Sequence, residues 1–416
     1  MSLHNFNLQA FGLDLSDLSF KLAAIREQSY GKHELTAWNK LAVPEGVIDQ
    51  GIIKIPEKAI EILIRLRQEA KGQVPSDFAI ISLPESQTFL KVLHLEKQSG
   101  DNDDFLDKMI REELPKEIPL PLGNLHYDYI ILNNNSTFWE VLLGAARRDV
   151  ILEYTEILKE AGIKPLAIEI EAQSIVRSLI KEVSLQPKLG FNLNSLLTKF
   201  KVNFKKNKEN QVKSSILNPF FIGKNKDSVS TNKSKLPKEV SESLSFESSK
   251  KPVLLVDLGE TRTGLVIYHQ GVVQFTRSLE LSGREITLAI AEKLKLSSDK
   301  AEQAKIICGL DPKKCKGQML PLMRGWVERL GNELQETVSY YMSERVESPD
   351  FEKVILCGGG AALAGLAEKL QKKLSISVEV GNPLINFNKP RDEDLIIPVK
   401  SLSSLATALG LALHVE

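Results

Sequence analysis

Two apolar runs that each end on an aspartate, 243 residues apart, constrain this chain more than any other feature. The first is FGLDLSDLSFKL, residues 11–22; the second is VLLVDLGETRTGL, residues 253–265. In each, an apolar stretch reaches an aspartate (Asp14 or Asp257), passes a short polar turn and resumes as a second apolar stretch. That pattern predicts a strand–turn–strand hairpin. Its recurrence suits two related α/β lobes closing on one cleft, and 416 residues exceed what a single hydrophobic core normally holds.

The intervening sequence supports alternating strands and helices. Pro56 can open a helix with apolar positions at Ala59, Ile60, Ile62, Leu63 and Leu66, and DFAIISLP, 77–84, reads as a buried strand ended by Pro84. From 85 to 165 the texture changes to strands around a helix over 101–114, as in a small inserted α+β module. Within it, FWEVLLGAARRDVILEYTEILKEAGIKPLAIEIE predicts strand, helix, turn and strand. Residues 196–251 are dominated by lysine, asparagine and serine. They read as a flexible insertion or linker, with a basic tether for acidic lipid or nucleic acid as the rival. Strands then return at 253–280, helices are expected from about 285 and from Ser298 as a cap, and FEKVILCGGG is a strand entering a glycine turn. AALAGLAEKLQKKL is the helix that this turn launches, and SLATALGLALHV is an apolar C-terminal helix. The expected organisation is a first lobe over 1–84 and 166–195, an inserted subdomain over 85–165, the insertion 196–251, a second lobe over 252–380, and a C-terminal segment, 381–416, returning to the first lobe.

Composition removes several function classes. The 54 basic and 54 acidic side chains cancel, so there is no global basic footprint for nucleic acid. Cys308, Cys315 and Cys357 match neither a disulfide framework nor a zinc-ligand spacing, and a reducing setting is expected. No apolar run reaches the length of a membrane span, and the first residues lack a signal-peptide layout, so membrane contact is expected through a partner. The six histidines form no hydrolase triad or metal pair.

Five stretches can carry chemistry. Asp257 and Gly259, with Thr261 and Thr263 after them, can form a turn whose backbone N–H groups face phosphate oxygens, while the aspartate holds magnesium through water; an ordinary hairpin exit is the alternative. Asp14, Ser16, Ser19 and Lys21 form the counterpart. Gly358, Gly359 and Gly360, between a strand and a helix, permit close approach of a base or ribose, or serve only as a tight turn. Glu302 and Lys305 share a helix face and suit ribose and base contacts or an exposed ion pair, with Gly283 a possible close-approach point nearby. Glu169 and Glu171, alternating at the end of PLAIEIE, can orient water or metal, or simply mark an exposed strand end.

In motif order and spacing, the chain resembles the PilM family of actin-like ATP-binding proteins of type IV pilus assembly and, more distantly, the FtsA division proteins. The resemblance spans nearly everything outside 196–251 and rests on FGLDLSDLSFKLAAI, AIISLPESQTFLKVLHL, AARRDVILEYTEILKEAGIKPLAIEIEAQSI, LLVDLGETRTGLVIYHQG and VILCGGGAALAGLAEKLQKKLSISVEVGNP. It implies an actin-like fold of two lobes with ATP and Mg2+ in the cleft. It implies phosphate contacts at Asp14, Ser16, Lys21, Asp257, Gly259 and Thr261, magnesium at Asp14 and Asp257, and nucleoside contacts at Gly283, Glu302, Lys305 and Gly358–Gly360. It further implies a PilN-like bitopic membrane protein as partner, bound through its cytoplasmic N-terminal tail, and a cytoplasmic position at the inner membrane. Other pilus motor or platform proteins are further candidate partners. Hydrolysis is expected to be weak or absent. A nucleotide-free scaffold of the same complex and a membrane-polymerising division protein are the alternatives, and the ending LGLALHVE argues against the second because no basic amphipathic helix follows it. The family's first loop usually reads Asp-x-Gly; here it reads Asp14-Leu15-Ser16-Asp17, and Asp17 is expected to place a negative charge where phosphate approaches.

Overall fold

The computed structural model describes residues 9–28, 32–97, 103–181, 190–191, 251–343, 350–388, 395 and 397–414. The stretch 196–251 lies, except for Lys251, outside the described residues. The first half contains the meander β1 (Phe11–Ser16), β2 (Ser19–Gln28) and β3 (Lys32–Ala42), then β4 (Ile48–Asp49), β5 (Ile52–Ile53), α1 (Pro56–Gln68), β6 (Lys71–Gly72) and β7 (Phe78–Leu83). Next come β8 (Thr88–Glu96), α2 (Asp103–Glu117), β9 (Leu125–Asn134) and β10 (Phe138–Arg147), followed by α3 (Arg148–Glu160), β11 (Lys164–Ile170), α4 (Glu171–Leu179) and β12 (Gly190–Phe191). The second half has β13 (Val253–Leu258), β14 (Thr263–His269), β15 (Val272–Leu279), α5 (Gly283–Leu294), α6 (Ser298–Cys308) and α7 (Met319–Ser343). It closes with β16 (Lys353–Cys357), α8 (Leu366–Leu374), β17 (Ser377–Val380), α9 (Val399–Leu402) and α10 (Ala406–Ala412).

The two hairpins sit at equivalent places in two sheets. One sheet runs β12-β11-β7-β1-β2-β3-β6; the other runs β17-β16-β13-β14-β15-β8-β10-β9. Each contains the same five-strand pattern, β11-β7-β1-β2-β3 in one and β17-β16-β13-β14-β15 in the other. In both, the meander is antiparallel and the two strands beside its first member are parallel to it. Asp14 and Asp257 therefore lie on topologically matched strands.

β1 is covered on both faces, which explains its almost continuous apolar run. Phe11, Leu13 and Leu15 share one buried cluster with Ala59, Ile62, Leu63 and Leu66 of α1, residues spaced three or four apart on one helical face. Each such side chain contributes roughly 1.5–3 kcal/mol on burial. Against the other face lies α10: a Cβ on Gly12 would sit 2.1 Å from the Ala408 carbonyl oxygen, so only glycine admits this packing. The C-terminal helix thereby braces the strand that carries Asp14.

β8, α2 and β10 share a core of their own, in which Leu106, Ile110 and Leu114 of α2 pack on Leu93, Leu95, Trp139, Val141 and Leu143. Its strands also extend the second sheet, because β8 pairs with β15 at Lys91 and Phe275. That contact covers a sheet edge which would otherwise be open.

Several local expectations change. PLAIEIE does not end in an exposed strand tip: Glu169 lies buried within β11, and Glu171, half-buried, opens α4. Ser297, rather than Ser298, occupies the N-cap of α6. AALAGLAEKLQKKL is broken at Gly365, where φ is 81°, so a 3-10 turn over Gly359–Ala362 precedes the shorter α8. Cys308 and Cys315 are joined in a disulfide, with Cα atoms 5.6 Å apart, which the expectation from cysteine spacing did not foresee. The turn after α6 doubles back and brings the two together; spacing in sequence carries no such geometry.

Candidate functional site

The two hairpins face each other across a cleft. On the first, register places Asp14 opposite Lys21 and Lys21 opposite Lys40, so the three share one face across β1, β2 and β3. Lys21 Nζ donates to Asp14 Oδ2 at 2.8 Å and to Ser16 Oγ at 2.9 Å, and Ser16 Oγ donates to Asp14 Oδ1 at 2.7 Å. Ser16 thus closes a small ring of hydrogen bonds. Its φ is negative, as is that of Gly259, so serine brings no left-handed strain here. Gly259 is needed for a different reason: a Cβ there would lie 2.7 Å from the Arg262 carbonyl oxygen, across the tip of its own hairpin.

Lys40 was not among the residues expected from sequence. Two lysines directly opposite on neighbouring strands repel each other unless something anionic lies between or beside them. Burial, then repulsion from Lys21, lowers the Lys40 ammonium below its ordinary value, and its Nζ donates to Ser404 Oγ at 3.1 Å. The like-charge pair becomes visible only once the β2–β3 register is known.

Carboxyl groups from both hairpin sheets collect in the cleft. Asp257 is pushed up to about 6 by burial and by Asp14, against the pull of Lys21. Glu171 is pushed up to about 8 by burial, then by Asp14 and Asp257. Glu85, also unassigned from sequence, is raised well above the carboxylate range by burial and by Glu171, and its Oε1 is buried without a hydrogen-bond partner among the described residues. Among those residues, no three His, Cys, Asp or Glu side chains converge closely enough to chelate a metal directly. Asp14 and Asp257 instead suit a hydrated divalent cation held partly by a bound anion.

Asp14, Ser16, Lys21, Glu171, Asp257, Gly259, Thr261, Gly358 and Gly359 all line the cleft. Gly358 has φ 78°, and a Cβ there would meet Asp257 Oδ1 at 2.2 Å, so the glycine lets the strand end pass directly over the aspartate. Gly360 packs on Leu258 instead. Gly283, Glu302 and Lys305 assemble beside the second hairpin. The Gly283 N–H donates to the Gly259 carbonyl at 3.0 Å. Lys305 Nζ pairs with Glu302 at 2.6 Å and donates to the Gly283 carbonyl at 2.9 Å and to Thr287 Oγ1 at 2.8 Å. Glu169 is elsewhere. Arg177 holds it through two bonds of 3.0 and 3.1 Å, and His414 Nδ1 contacts it as well. Burial pushes the Glu169 carboxyl up, but Arg177 and His414 outweigh burial and keep it down at about 2.

Asp17 lines the cleft, and its carboxylate is already engaged there. Oδ1 accepts the Gly51 N–H at 2.9 Å, while Oδ2 accepts Thr261 Oγ1 at 3.1 Å and lies 3.5 Å from Arg262 Nη2. The turn at 17–18 directs this side chain sideways, towards the neighbouring loop and the opposite hairpin.

Duplicated five-strand sheets with facing hairpins define a two-lobed α/β protein of the actin-like class. The chain belongs to the family of type IV pilus assembly protein PilM, whose sequence model matches residues 12–198 and 225–416. Its fold is similar to that of a solved PilM-PilN type IV pilus biogenesis complex, with TM-score 0.69 and 20% identity over 98% of each chain. It is 25% identical over 190 residues to the cell division protein FtsA of Borreliella burgdorferi, which covers 41% of this chain and 44% of that protein. The chain thus aligns with less than half the length of that curated relative. A weaker likeness, TM-score 0.45 at 11% identity over 96% of this chain and 93% of the other, is to MreB5 of Spiroplasma citri bound to ADP. Among the described residues no helix is long and apolar enough to cross a membrane.

Proposed function

We propose that this protein is a cytoplasmic, ATP-binding adaptor in the inner-membrane complex of type IV pilus assembly, engaging the N-terminal tail of a PilN-like membrane protein. The observation that carries the nucleotide reading is the Asp14–Lys21–Lys40 row facing Asp257 across two matched hairpins. The partner reading draws support from family membership and from likeness to a PilM-PilN complex. In this reading Lys21 and Lys40 neutralise phosphate charge, Ser16 and Thr261 offer hydroxyls, and Gly259 offers backbone N–H. Asp14 and Asp257 hold hydrated Mg2+. Gly283, Glu302 and Lys305 lie on the ribose side, and Gly358–Gly360 on the base side. The lobes follow the proposed boundaries, with the 85–165 module presenting the partner groove. Bound Mg·ATP supplies free energy for lobe closure, which can be linked to partner affinity.

Hydrolysis is slow or absent in this reading. A general base must be deprotonated at working pH. Glu171, at about 8, keeps its proton near neutrality. Glu169 is engaged by Arg177 and His414 outside the cleft. Calorimetric titration of Mg·ATP into pure protein tests the binding claim: absence of binding at millimolar nucleotide rejects it. The partner claim is tested separately with a synthetic peptide of the PilN-like tail, and fails if the peptide does not bind with or without Mg·ATP.

A further inference from the structure

Asp17 bridges parts of the molecule distant in sequence. It is 4% exposed and is held on its own side by the Gly51 N–H. Gly51 is itself fixed, because its carbonyl accepts the Tyr154 hydroxyl at 3.0 Å. Across the cleft, Asp17 takes the Thr261 hydroxyl and one amino group of Arg262. The other amino nitrogen of Arg262, Nη1, is buried with no hydrogen-bond partner among the described residues. A guanidinium offers its donors in a planar fork that matches phosphate oxygens two at a time. Here one prong of that fork is occupied by Asp17 and another is unused, beside a cleft lined by the lysine row. A buried donor without an acceptor is costly and points to a missing anionic ligand. Arg262 also opposes the charge repulsion among Glu85, Glu171 and Asp257.

We infer that Asp17, Thr261 and Arg262 form a latch that ties the two hairpins together in the nucleotide-free protein, and that a nucleotide phosphate competes with Asp17 for Arg262 and Thr261. Arg262 is then a phosphate-binding residue reached only when the latch opens. Nucleotide entry and loss of the direct hairpin-to-hairpin contact become one event. This inference rests on the ATP-binding reading for its second half only; the latch stands on geometry.

The substitution Asp17→Asn keeps a side-chain oxygen for the Gly51 N–H and removes the charge that holds Arg262. Mg·ATP affinity is compared by calorimetry for wild type, D17N, R262Q and D17N/R262Q at fixed salt. The latch predicts that D17N tightens binding about tenfold, that R262Q weakens it about tenfold, and that D17N tightens binding by no more than about twofold in the R262Q background, where only the Thr261 contact is left to release. Equal tightening by D17N in both backgrounds overturns the inference, because Asp17 would then act only by repelling phosphate. No change on D17N also overturns it, leaving Asp17 as a pin for the Gly51 turn. Hydrogen exchange in the nucleotide-free protein reads the latch independently: D17N raises exchange at 259–262 about tenfold. Unchanged exchange rejects the latch whatever ATP does. Raised exchange together with no Mg·ATP binding by any variant supports the latch and rejects the nucleotide reading.

Discussion

Replacing Glu171 with glutamine tests the charge arrangement of the cleft. The carboxyl opens α4, where a helix N-terminus favours its ionised form. Burial, together with Asp14 and Asp257, outweighs that preference and lifts it from 4.5 to about 8. Between those values the folded protein binds a proton that the unfolded chain has released. Folding stability from this group is therefore fully present below about 4.5 and is lost as pH rises through about 8. At about 1.4 kcal/mol per pH unit, the whole rise sets an upper bound of roughly 5 kcal/mol. Asp257 shares the same charge network, so the loss between pH 6 and 9 is expected nearer 2 kcal/mol than that bound. Glutamine is neutral throughout. Urea midpoints of nucleotide-free protein at pH 6 and pH 9 give the comparison. E171Q should be more stable than wild type at both pH values, with an advantage larger by roughly 2 kcal/mol at pH 9 than at pH 6. Glu85 leaves a residual slope of the same sign, because burial raises it too. A wild-type stability that is flat over this range, or an E171Q slope as steep as wild type, would refute the reasoning.

Three further perturbations follow from the same geometry. Arg177→Met leaves Glu169 buried with only His414 beside it, and should cost about 3–5 kcal/mol in urea unfolding; a loss below about 1 kcal/mol contradicts the assigned burial. Lys40→Met should weaken Mg·ATP at least about tenfold in calorimetry while leaving the melting temperature of the empty protein unchanged or higher, because it removes a cross-strand like-charge pair; a lower melting temperature with unchanged affinity reverses the argument. Gly358→Ala forces a side chain into left-handed backbone and against Asp257, and should destabilise by at least about 2 kcal/mol in thermal denaturation; a neutral effect shows that the strand end does not pass over the aspartate as described.

The features legible in the sequence were those in which a few neighbouring residues decide the outcome. The hairpins at 11–28 and 253–269 follow from apolar strands interrupted by polar turns, and α1 follows from Pro56 and its apolar spacing. Asp14, Lys21 and Ser16 were found together because one tight turn brings their strands into register. Lys40, Glu85 and Arg262 are not legible as site residues because each reaches the cleft through tertiary placement: Lys40 by pairing of β3 with β2, Glu85 from the segment after β7, and Arg262 from the second hairpin by contact with Asp17. Glu169 was considered beside Glu171 because the two are neighbours in sequence, yet one side chain meets Arg177 and the other enters the cleft.

The sequence by itself determined the repeated strand–turn–strand units, the placement of an aspartate at the end of each, and the family to which the chain belongs. Those are consequences of local periodicity, turn chemistry and motif order. Tertiary structure alone decided that Asp17 meets Thr261 and Arg262 of the other hairpin, that Lys21 and Lys40 share one face, and that burial raises the Glu171 carboxyl to about 8. Partner choice, pairing register and protonation depend on burial and on charges brought within a few ångströms by packing, and none of these is a property of a short run of residues.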